Sequence, residues 1–493
     1  MDLAYENVQI RISKKQPATQ IGISTALLAQ WELVQETDVT VQLGHTLRKV
    51  KVMPIKHLGE IDGSGKATVQ DRILVLSHKL FHSCPIPSGI TFHALFRNGI
   101  IRLGPVIGIL ADGATPMVSK LMRTAAKDRQ LLIYRFSPKD VNWQEKLVYG
   151  HYRLSKKKEN WKSGPSPIPD VIINHIRSRK THHSAAFQNF LKNLRQFTHS
   201  KLFNTHFFNK KDVHIYLSSD DDLHPYIPWT LTEPTLQSVN DMIMYNTAVF
   251  FKPIDGFFGY GIYKVSFDWP NKRYVCEASF KGSKIHRTYQ SLQTLIDRHI
   301  DLSKYIVQQE IVLPRYGKDF FDLRVHVNKN GNNEWVVTAI GANVNKVKNI
   351  TTHGGWIKPG QLLLKQLFHE RAEFIITEIH LVAAKIGQAL ETGYDCAFGD
   401  LGIDMCVDKN GRLWIFEVNS FPGRHIFKHR QLEPMYAKSD QLLLDYCQYV
   451  FRQSAKNSEY RQRRTVIPYR LAPIKNSREA RMPSYAPRVA GFA

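Results

Sequence analysis

The segment from Leu401 to Arg424, LGIDMCVDKNGRLWIFEVNSFPGR, constrains the fold of this chain more than any other segment. It holds two apolar stretches, Leu401–Val407 and Arg412–Val418, separated by the polar sequence Asp408–Gly411. A loop that contains Asx and Gly residues between two apolar stretches predicts a β-hairpin.

The two faces of this hairpin differ in chemistry, because side chains alternate along a strand. If the four-residue loop closes the hairpin, Asp404 faces Ile415, and Asp404, Glu417 and Asn419 lie on one face. The other face is expected to pack in the core and consists of Ile403, Met405, Val407, Trp414, Phe416 and Val418. Two carboxylates and an amide oxygen suit Mg²⁺ that is bound together with the phosphates of a nucleotide. The alternative is an ordinary hairpin with exposed acids, although an acid between two large apolar residues is unusual in that role.

Size and composition exclude several classes of protein. A chain of 493 residues can form about two to four domains with large cores. No apolar run is long enough to span a bilayer, and the N-terminus lacks the basic segment followed by an apolar segment that a signal peptide has. The five cysteines are scattered without a CxxC pair, which favours reduced thiols in a cytoplasmic protein over a disulfide framework or a zinc site.

The net charge of +24 is concentrated in two segments. Residues 151–211 carry a charge of +11 and residues 456–493 carry +7, so the remainder of the chain is near neutral. These segments can contact an anionic polymer or substrate. They lack aromatic residues interleaved on a regular face, so a nucleic acid is not the expected partner.

Four regions follow from the pattern along the chain. A small, mostly β module spans residues 1–90, a half-Rossmann domain with a basic linker spans 91–185, a larger α+β region spans 186–455, and a basic tail, expected to be disordered, spans 456–493. The half-Rossmann prediction rests on a buried strand at 103–110, a helix at 117–128 and a second strand at 131–134. Between the hairpin and the tail, a short helix is predicted at 440–451.

The third region contains the elements of a nucleotide site. A strand at Thr247–Lys252 ends in a lysine, and the glycine-rich loop Asp255–Gly261 follows it. The next element is a strand at 262–265 and not a helix, which excludes a Walker loop and a dinucleotide fingerprint. Glycines in such a loop let backbone N–H groups close over phosphates.

Further strands and a long helix complete this region. Strands are predicted at Tyr305–Ile311 and Phe320–Val327, and in the second of these Asp322, Arg324 and His326 share one face. An arginine on a rigid strand can bind a phosphate or a carboxylate, although a structural ion pair is the alternative. Apolar residues at helical spacing predict a core helix over 372–392 that ends at Gly393.

In this order, the parts resemble the ATP-grasp superfamily over roughly residues 200–450. The closer resemblance is to the YheC/YheD family of ATP-grasp proteins from endospore-forming bacteria, which is associated with the spore coat. It rests on the segments LGPVIGIL at 103–110, FFKPIDGFFGYGI at 250–262, FDLRVHV at 321–327, NITTHGG at 349–355 and the hairpin at 401–424. The resemblance implies two α+β subdomains that clamp a nucleotide, preceded by a half-Rossmann pre-ATP-grasp domain and the small N-terminal module.

The resemblance also implies roles for individual residues. Lys252 would bind the nucleotide phosphates, and Lys211 would be the upstream second lysine, although Lys210 competes for that role. Arg324 would face the transferred phosphoryl group or the acyl phosphate. The remaining implied positions are Gly256, Gly259 and Gly261 in the phosphate flap, Gln309, Glu310 and Ile311 along the adenine edge, and Asp404, Glu417 and Asn419 as ligands of Mg²⁺.

The activity that the resemblance implies is that of an ATP- and Mg²⁺-dependent ligase. Such an enzyme activates a carboxylate as an acyl phosphate, which an amine or a thiol then attacks. His326 and His353 are the candidates for a general base, although a structural or substrate-positioning role is favoured over catalysis for each. The alternative is a non-catalytic protein associated with the spore coat that binds ATP or has only the fold.

Overall fold

The computed structural model describes residues 5–55, 72–82, 84–128, 131–153, 161–198, 201–256, 260–280, 283–345 and 355–461. The chain divides into two compact units, Met1–Gln453 and Ser454–Ala493. The architecture below is that of the first unit. Of the second unit, residues 454–461 are described, and they continue the final helix.

The N-terminal region forms a closed seven-stranded β-barrel with the strand order β1-β5-β2-β4-β3-β7-β6. Its strands mix parallel and antiparallel pairs, and alternate residues such as Val8 and Ile10 of β1 are buried inside. The elements are β1 (Glu6–Ser13), β2 (Gln20–Ser24), α1 (Thr25–Gln30), β3 (Asp38–Leu43), β4 (Thr46–Ile55), β5 (Ile73–Ser77), β6 (Ile90–Arg97) and β7 (Ile100–Gly104). The boundary predicted at residue 90 therefore falls on the first residue of β6.

The prediction of one buried strand over residues 103–110 was wrong, because two strands of different sheets meet there. The barrel strand β7 ends at Gly104, and β8 (Val106–Leu110) starts the next sheet. Between them, Pro105 has no N–H to donate to a ladder. The carboxylate of Asp170 accepts a hydrogen bond from the Val106 N–H at 2.9 Å, which secures the start of the new strand.

The second sheet confirms the predicted β-α-β unit. Strand β8 leads into helix α2 (Pro116–Asp128) and returns as β9 (Leu132–Phe136), which is parallel to β8. Strand β13 is parallel to β8 on its other side, and β14 is parallel to β13. The remaining elements are β10 (Val141–Asn142), β11 (Leu147–Arg153), β12 (Trp161–Pro167), β13 (Val171–Asn174), α3 (Arg179–His182), α4 (Ala185–Thr198) and β14 (Lys201–Phe203).

The last two sheets are antiparallel and form the two halves of the region that follows. The first has the order β15-β20-β16-β17-β18-β19. The elements of this half are α5 (Lys210–Ser218), β15 (Thr230–Leu231), α6 (Leu236–Asn246), β16 (Ala248–Pro253), β17 (Tyr263–Asp268), β18 (Arg273–Phe280), β19 (Ser283–Tyr289), α7 (Leu292–His299) and β20 (Tyr305–Gln309).

The second of these sheets has the order β24-β23-β22-β25-β26, with the short β21 paired to β22. Its elements are β21 (Arg315–Tyr316), β22 (Asp319–Lys329), β23 (Trp335–Asn345), β24 (Trp356–Pro359), α8 (Gly360–Phe368), α9 (Ala372–Tyr394), β25 (Asp400–Val407), β26 (Leu413–Asn419) and α10 (Glu433–Arg461). One face of this sheet packs on α9 in a core that includes Phe321, Leu323, Ile379 and Ile386.

Helix α9 confirms the predicted core helix but not the reason given for its end. The helix runs through Gly393 to Tyr394, and Asp395 adopts the left-handed conformation that terminates it. A Cβ atom on Gly393 would lie 2.4 Å from the ring of Tyr216 on α5. Gly393 therefore permits a close approach between two helices and does not act as a helix cap.

The final helix is longer than predicted. The sequence pattern predicts a short helix over 440–451, whereas α10 extends from Glu433 to Arg461. The remainder of the basic tail, residues 462–493, lies outside the described residues. Within the described ranges, none of the helices is both long and apolar enough to cross a lipid bilayer.

Candidate functional site

Strands β25 and β26 pair as the predicted hairpin, but in a different register. Val407 pairs with Leu413 and Met405 pairs with Ile415, after which a register shift places Asp404 directly opposite Glu417. The sequence pattern predicted Ile415 opposite Asp404. The shift leaves Phe416 as an extra residue in β26, which is the arrangement of a β-bulge. The two carboxylates that the sequence singled out are therefore direct cross-strand neighbours.

The register shift also exchanges the environments of two apolar residues. Ile415 is 4% exposed and belongs to the core under the sheet, together with Ile403, Met405 and Val418. Phe416 is absent from that core. Both residues border the cleft between the two sheets, so what distinguishes Ile415 is its place in the core. The assignment of Phe416 and Trp414 to the core face was thus wrong, because a bulge reverses the alternation on one side of it.

Arg324 and Asp404 occupy adjacent strands and form a buried ion pair. They are paired residues of β22 and β25, and the Nε atom of Arg324 lies 2.8 Å from Oδ1 of Asp404. Burial raises the pKa of Asp404, Arg324 opposes this shift, and the carboxylates of Asp322 and Glu417 add to it. A cation beside these carboxylates would favour the ionised form of Asp404.

Lys252 is the penultimate residue of β16 and is held by a chain of hydrogen bonds. Its Nζ atom donates to Oε1 of Gln308 at 2.5 Å, and Nε2 of Gln308 donates to the hydroxyl of Thr230 at 3.0 Å. The Thr230 hydroxyl donates to the Pro228 carbonyl at 2.8 Å. Because this carbonyl can only accept, the chain has one polarity and the amide oxygen of Gln308 points at the ammonium group. Burial lowers the pKa of Lys252 to about 8, against the opposing charge of Glu417.

The structure brings Lys210 into the cleft and directs Lys211 elsewhere. The Nζ atom of Lys210 donates to the Gly256 carbonyl at 2.8 Å and lies 3.5 Å from Oε1 of Glu417. Lys211 instead pairs with Glu233 at 2.8 Å, and the Glu233 side chain is 81% exposed. Successive residues of a helix point about 100° apart, so only one of the two lysines can face the cleft.

The glycine-rich loop is described at both of its ends. A Cβ atom on Gly256 would lie 3.0 Å from Pro253, and one on Gly261 would lie 3.1 Å from the same proline. Gly261 also has a φ of +73°, which favours glycine. The third predicted glycine, Gly259, lies outside the described residues, as do His353 and most of the NITTHGG segment.

The strand predicted to meet the adenine edge already uses two of its backbone donors. The N–H of Gln309 donates to the Trp229 carbonyl at 2.9 Å, and that of Glu310 donates to the Ala248 carbonyl at 3.2 Å. The Glu310 side chain pairs with Lys264 at 2.6 Å. Gln308, which sequence reasoning did not select, provides the side chain that faces the cleft. Alternation along β20 places it on the same side as Ile306 and is the signal that could have identified it.

These residues surround a cleft of about 480 Å³ between the two antiparallel sheets. Its lining combines apolar side chains, which would suit a flat base, with polar ones that include the charged pair of Lys210 and Glu417. The lining residues are Phe208, Asn209, Lys210, Val213, His214, Leu217, Ile227, Ile306, Gln308, Ile415, Phe416, Glu417 and Val418.

The oxygen donors of the hairpin fit a magnesium ion that shares its coordination sphere with phosphates. Asp404 and Glu417 are cross-strand neighbours, and the Asn419 amide nitrogen lies 3.4 Å from Oδ2 of Asp404. Rotation of the Asn419 amide would turn its oxygen toward a cation. Mg²⁺ commonly takes one or two carboxylates and completes its octahedron with waters and substrate phosphates. Among the described residues, His, Cys, Asp and Glu side chains form no group of three or more that could hold a metal alone.

Two histidines differ in their relation to the site. His326 is fully buried, and its Nε2 lies 3.1 Å from the Ser439 hydroxyl of α10, so it has a structural environment. Sequence reasoning did not select His425. Its Nε2 atom lies 3.1 Å from Oδ1 of Asn343. The Asn343 amide donates in turn to Asp322 at 2.8 Å. This chain links His425 to the strand that carries Arg324.

A family model described as YheC/D like ATP-grasp matches residues 199–450. The chain belongs to this family. The match covers both antiparallel sheets and the cleft between them, so the predicted α+β ATP-grasp fold is confirmed. The β-barrel, most of the second sheet and residues 451–493 lie outside the match.

Two relatives carry the names YheD and YheC. This YheC/D-like chain is 26% identical over 416 residues to endospore coat-associated protein YheD of Bacillus subtilis (strain 168), an alignment that covers 79% of this chain and 88% of that protein. It is 21% identical over 336 residues to endospore coat-associated protein YheC of the same organism, with 65% and 89% covered.

Solved structures of ATP-grasp enzymes share only a distant likeness with this chain. The D-alanine-D-alanine ligase from Coxiella burnetii has 12% identity and a TM-score of 0.40, with 72% of this chain and 98% of that chain covered. The N5-carboxyaminoimidazole ribonucleotide synthetase from Thermotoga maritima has 13% identity and a TM-score of 0.39, with 69% and 76% covered. The family assignment rests on the match of the family model.

Proposed function

We propose that this protein is an ATP- and Mg²⁺-dependent ligase that activates a carboxylate as an acyl phosphate for attack by an amine or a thiol. The observation that carries the proposal is the arrangement of charge in one cleft. Lys210 and Glu417 line the cleft, and the groups next to them are also charged. Asp404 is the cross-strand partner of Glu417 and pairs with Arg324, and Lys252 is bound by Gln308 of the lining. Such an arrangement suits a nucleotide whose base is buried and whose phosphates meet metal and lysine.

The residues of the cleft receive the following roles in this proposal. Lys252 and Lys210 bind the phosphates, with Lys210 taking the place first considered for Lys211. Asp404, Glu417 and Asn419 would hold Mg²⁺, which would offset the negative charge of the phosphates. Gly256, Gly259 and Gly261 belong to the loop over the phosphates. The base edge is assigned to the Ile311 N–H, because Gln309 and Glu310 donate their N–H groups within the protein.

Arg324 is assigned to the charge that develops during transfer. Its guanidinium is fixed by Asp404 on a central strand, so it needs little reorganisation when a phosphoryl group approaches. The carboxylate substrate attacks the γ-phosphorus of ATP, ADP leaves, and the acyl phosphate forms. The amine or thiol then attacks the acyl carbon and phosphate leaves. The relatives named for the endospore coat make a coat component or another anionic polymer the favoured source of the carboxylate.

The test has two stages. Purified protein should bind ATP tightly only when Mg²⁺ is present, and Glu417→Gln should remove that dependence while the fold, followed by circular dichroism, is retained. Release of ADP should then be screened across amino acids, dipeptides and cell-wall precursors. Unchanged Mg²⁺-dependent binding in Glu417→Gln would contradict the assignment of the site. ATP binding without substrate-dependent ADP release would favour the non-catalytic alternative.

A further inference from the structure

Both carboxylates assigned to the metal have a cationic side chain beside them. Arg324 lies 2.8 Å from Asp404, and Lys210 lies 3.5 Å from Glu417. The Lys210 and Glu417 side chains are 11% and 26% exposed, so solvent screens this pair only in part. A metal ion that enters alone must therefore displace a resident ammonium group or lie beside it.

The second contact of Lys210 shows where its ammonium group can go. It donates to the Gly256 carbonyl at the root of the glycine-rich loop, at 2.8 Å, and the backbone N–H of Lys210 donates to the Ile254 carbonyl at 3.1 Å. Lys210 thus bridges the hairpin and the loop proposed to cover the phosphates. An anion bound under that loop can attract the ammonium group away from Glu417 while the backbone anchor stays in place.

We propose that Lys210 occupies the cation position beside Glu417 in the nucleotide-free protein, so that divalent metal enters with the nucleotide and not before it. This inference rests on the proposed function, because it assumes that the cleft binds ATP. Mg²⁺ bound to Glu417 would place a second positive charge next to the Lys210 ammonium group, and the repulsion between the two cations disfavours binding of the metal while Lys210 stays there. The phosphates of ATP would replace Glu417 as the partner of Lys210. Glu417 would then be available to the metal.

This role separates Lys210 from an ordinary phosphate-binding lysine. Loss of an ordinary phosphate-binding lysine weakens nucleotide binding and leaves the affinity for metal alone unchanged. Loss of Lys210 is expected to weaken nucleotide binding and to strengthen the binding of metal alone, because a competing positive charge is removed. Its neighbour Lys211, which pairs with exposed Glu233, provides a matched control for the loss of one charge.

The experiment measures the binding of Mn²⁺ to the nucleotide-free protein from the paramagnetic resonance signal of free Mn²⁺. The variants are Lys210→Met, Lys211→Met and the double variant Lys210→Met/Glu417→Gln, with Lys210→Gln as a substitute if the methionine variant does not fold. Lys210→Met should bind Mn²⁺ about tenfold more tightly than the unmodified protein, as expected when one nearby charge is lost from a partly exposed site. Lys211→Met should stay within about twofold, because its charge lies outside the cleft.

Two results would overturn the inference. One is an unchanged or weaker affinity of Lys210→Met for Mn²⁺, and the other is a gain that persists in Lys210→Met/Glu417→Gln. Binding of ATP to the unmodified protein in the presence of Mn²⁺ is measured in parallel. If ATP does not bind there, the proposed function fails as well. If ATP binds but the affinity of Lys210→Met for Mn²⁺ does not rise, only the role of Lys210 fails.

Discussion

The Nζ atom of Lys252 lies 2.5 Å from the amide oxygen of Gln308, on the strand next to its own. The other end of that amide is fixed by Thr230, whose hydroxyl is fixed in turn by a backbone carbonyl. The position of the ammonium group is therefore determined before any nucleotide arrives. A preorganised group loses less freedom on binding than a mobile one.

The first prediction concerns this chain of hydrogen bonds. Gln308→Leu should weaken the binding of MgATP about tenfold, because the ammonium group of Lys252 loses its fixed acceptor. Gln309→Leu is the matched control, since its side chain alternates to the other side of the strand. Calorimetric titration measures both affinities. Equal losses in the two variants would show that the amide of Gln308 has no special role.

The second prediction tests the bulge in β26. Ile415→Ala should lower the free energy of unfolding by about 2–4 kcal/mol, because it empties a core position. Phe416→Ala should change stability much less but weaken ATP binding, because Phe416 lines the cleft and its ring centroid lies 5.3 Å from the Lys252 ammonium. Thermal denaturation and nucleotide titration separate the two effects. If β26 instead followed the regular register predicted from sequence alone, Phe416→Ala would lower stability and Ile415→Ala would weaken ATP binding.

The third prediction concerns the buried pair of Arg324 and Asp404, whose side chains are 8% and 10% exposed. Arg324→Met should destabilise the nucleotide-free protein by about 3–5 kcal/mol, because a buried carboxylate loses its partner. Adding Asp404→Asn to that variant should restore part of the loss. Melting temperatures of the two single variants and the double variant measure the coupling. A double variant whose loss equals the sum of the single losses would argue against a direct interaction.

The fourth prediction is a dependence of stability on pH through His182. The ring is 3% exposed, and burial lowers its pKa to about 4. Its Nε2 lies 3.1 Å from the amide nitrogen of Asn174, whose oxygen accepts from the Ile176 N–H at 3.1 Å, so the amide nitrogen donates to a neutral imidazole.

Because the folded-state pKa of His182 is below the unfolded value of about 6.5, its contribution to stability is complete above that pH and decreases toward pH 4. The limiting slope for one such group is about 1.4 kcal/mol for each pH unit. His182→Gln should flatten the decline in melting temperature between pH 6.5 and pH 5. Its neighbour His183 is exposed, so His183→Gln should leave this decline unchanged. Parallel curves of melting temperature against pH for the unmodified protein and both variants would contradict the assignment to His182.

Sequence alone predicted the chemistry of the site better than its geometry. Asp404, Glu417 and Lys252 follow from residue type, alternation and the order of the strands. The bulge at Phe416 does not, because an extra residue in one strand leaves no mark on a short apolar pattern. The choice between Lys210 and Lys211 depends on where helix α5 begins, and Asn209 determines that by accepting from the Asp212 N–H at 2.7 Å.

His182 shows a second limit of sequence reasoning. The pair His182-His183 in a basic segment predicts a solvated loop, and His183 is exposed as expected. His182 instead packs against Phe187, Phe207 and Phe421. Phe207 and Phe421 come from other parts of the chain, so the burial of His182 is in part a tertiary effect that local composition does not reveal.

Helix α10 has a consequence for how this protein can be dissected. Near its start, Ser439 contacts His326 and Asp440 pairs with Arg424, behind the strands that carry the site. About two and a half turns after Ser439, Gln448 contacts His93 of the barrel at 3.1 Å. A truncated version without the N-terminal barrel would leave this end of the helix uncovered. Such a fragment would need polar replacements there before its solubility or catalytic competence could be compared with that of the full chain.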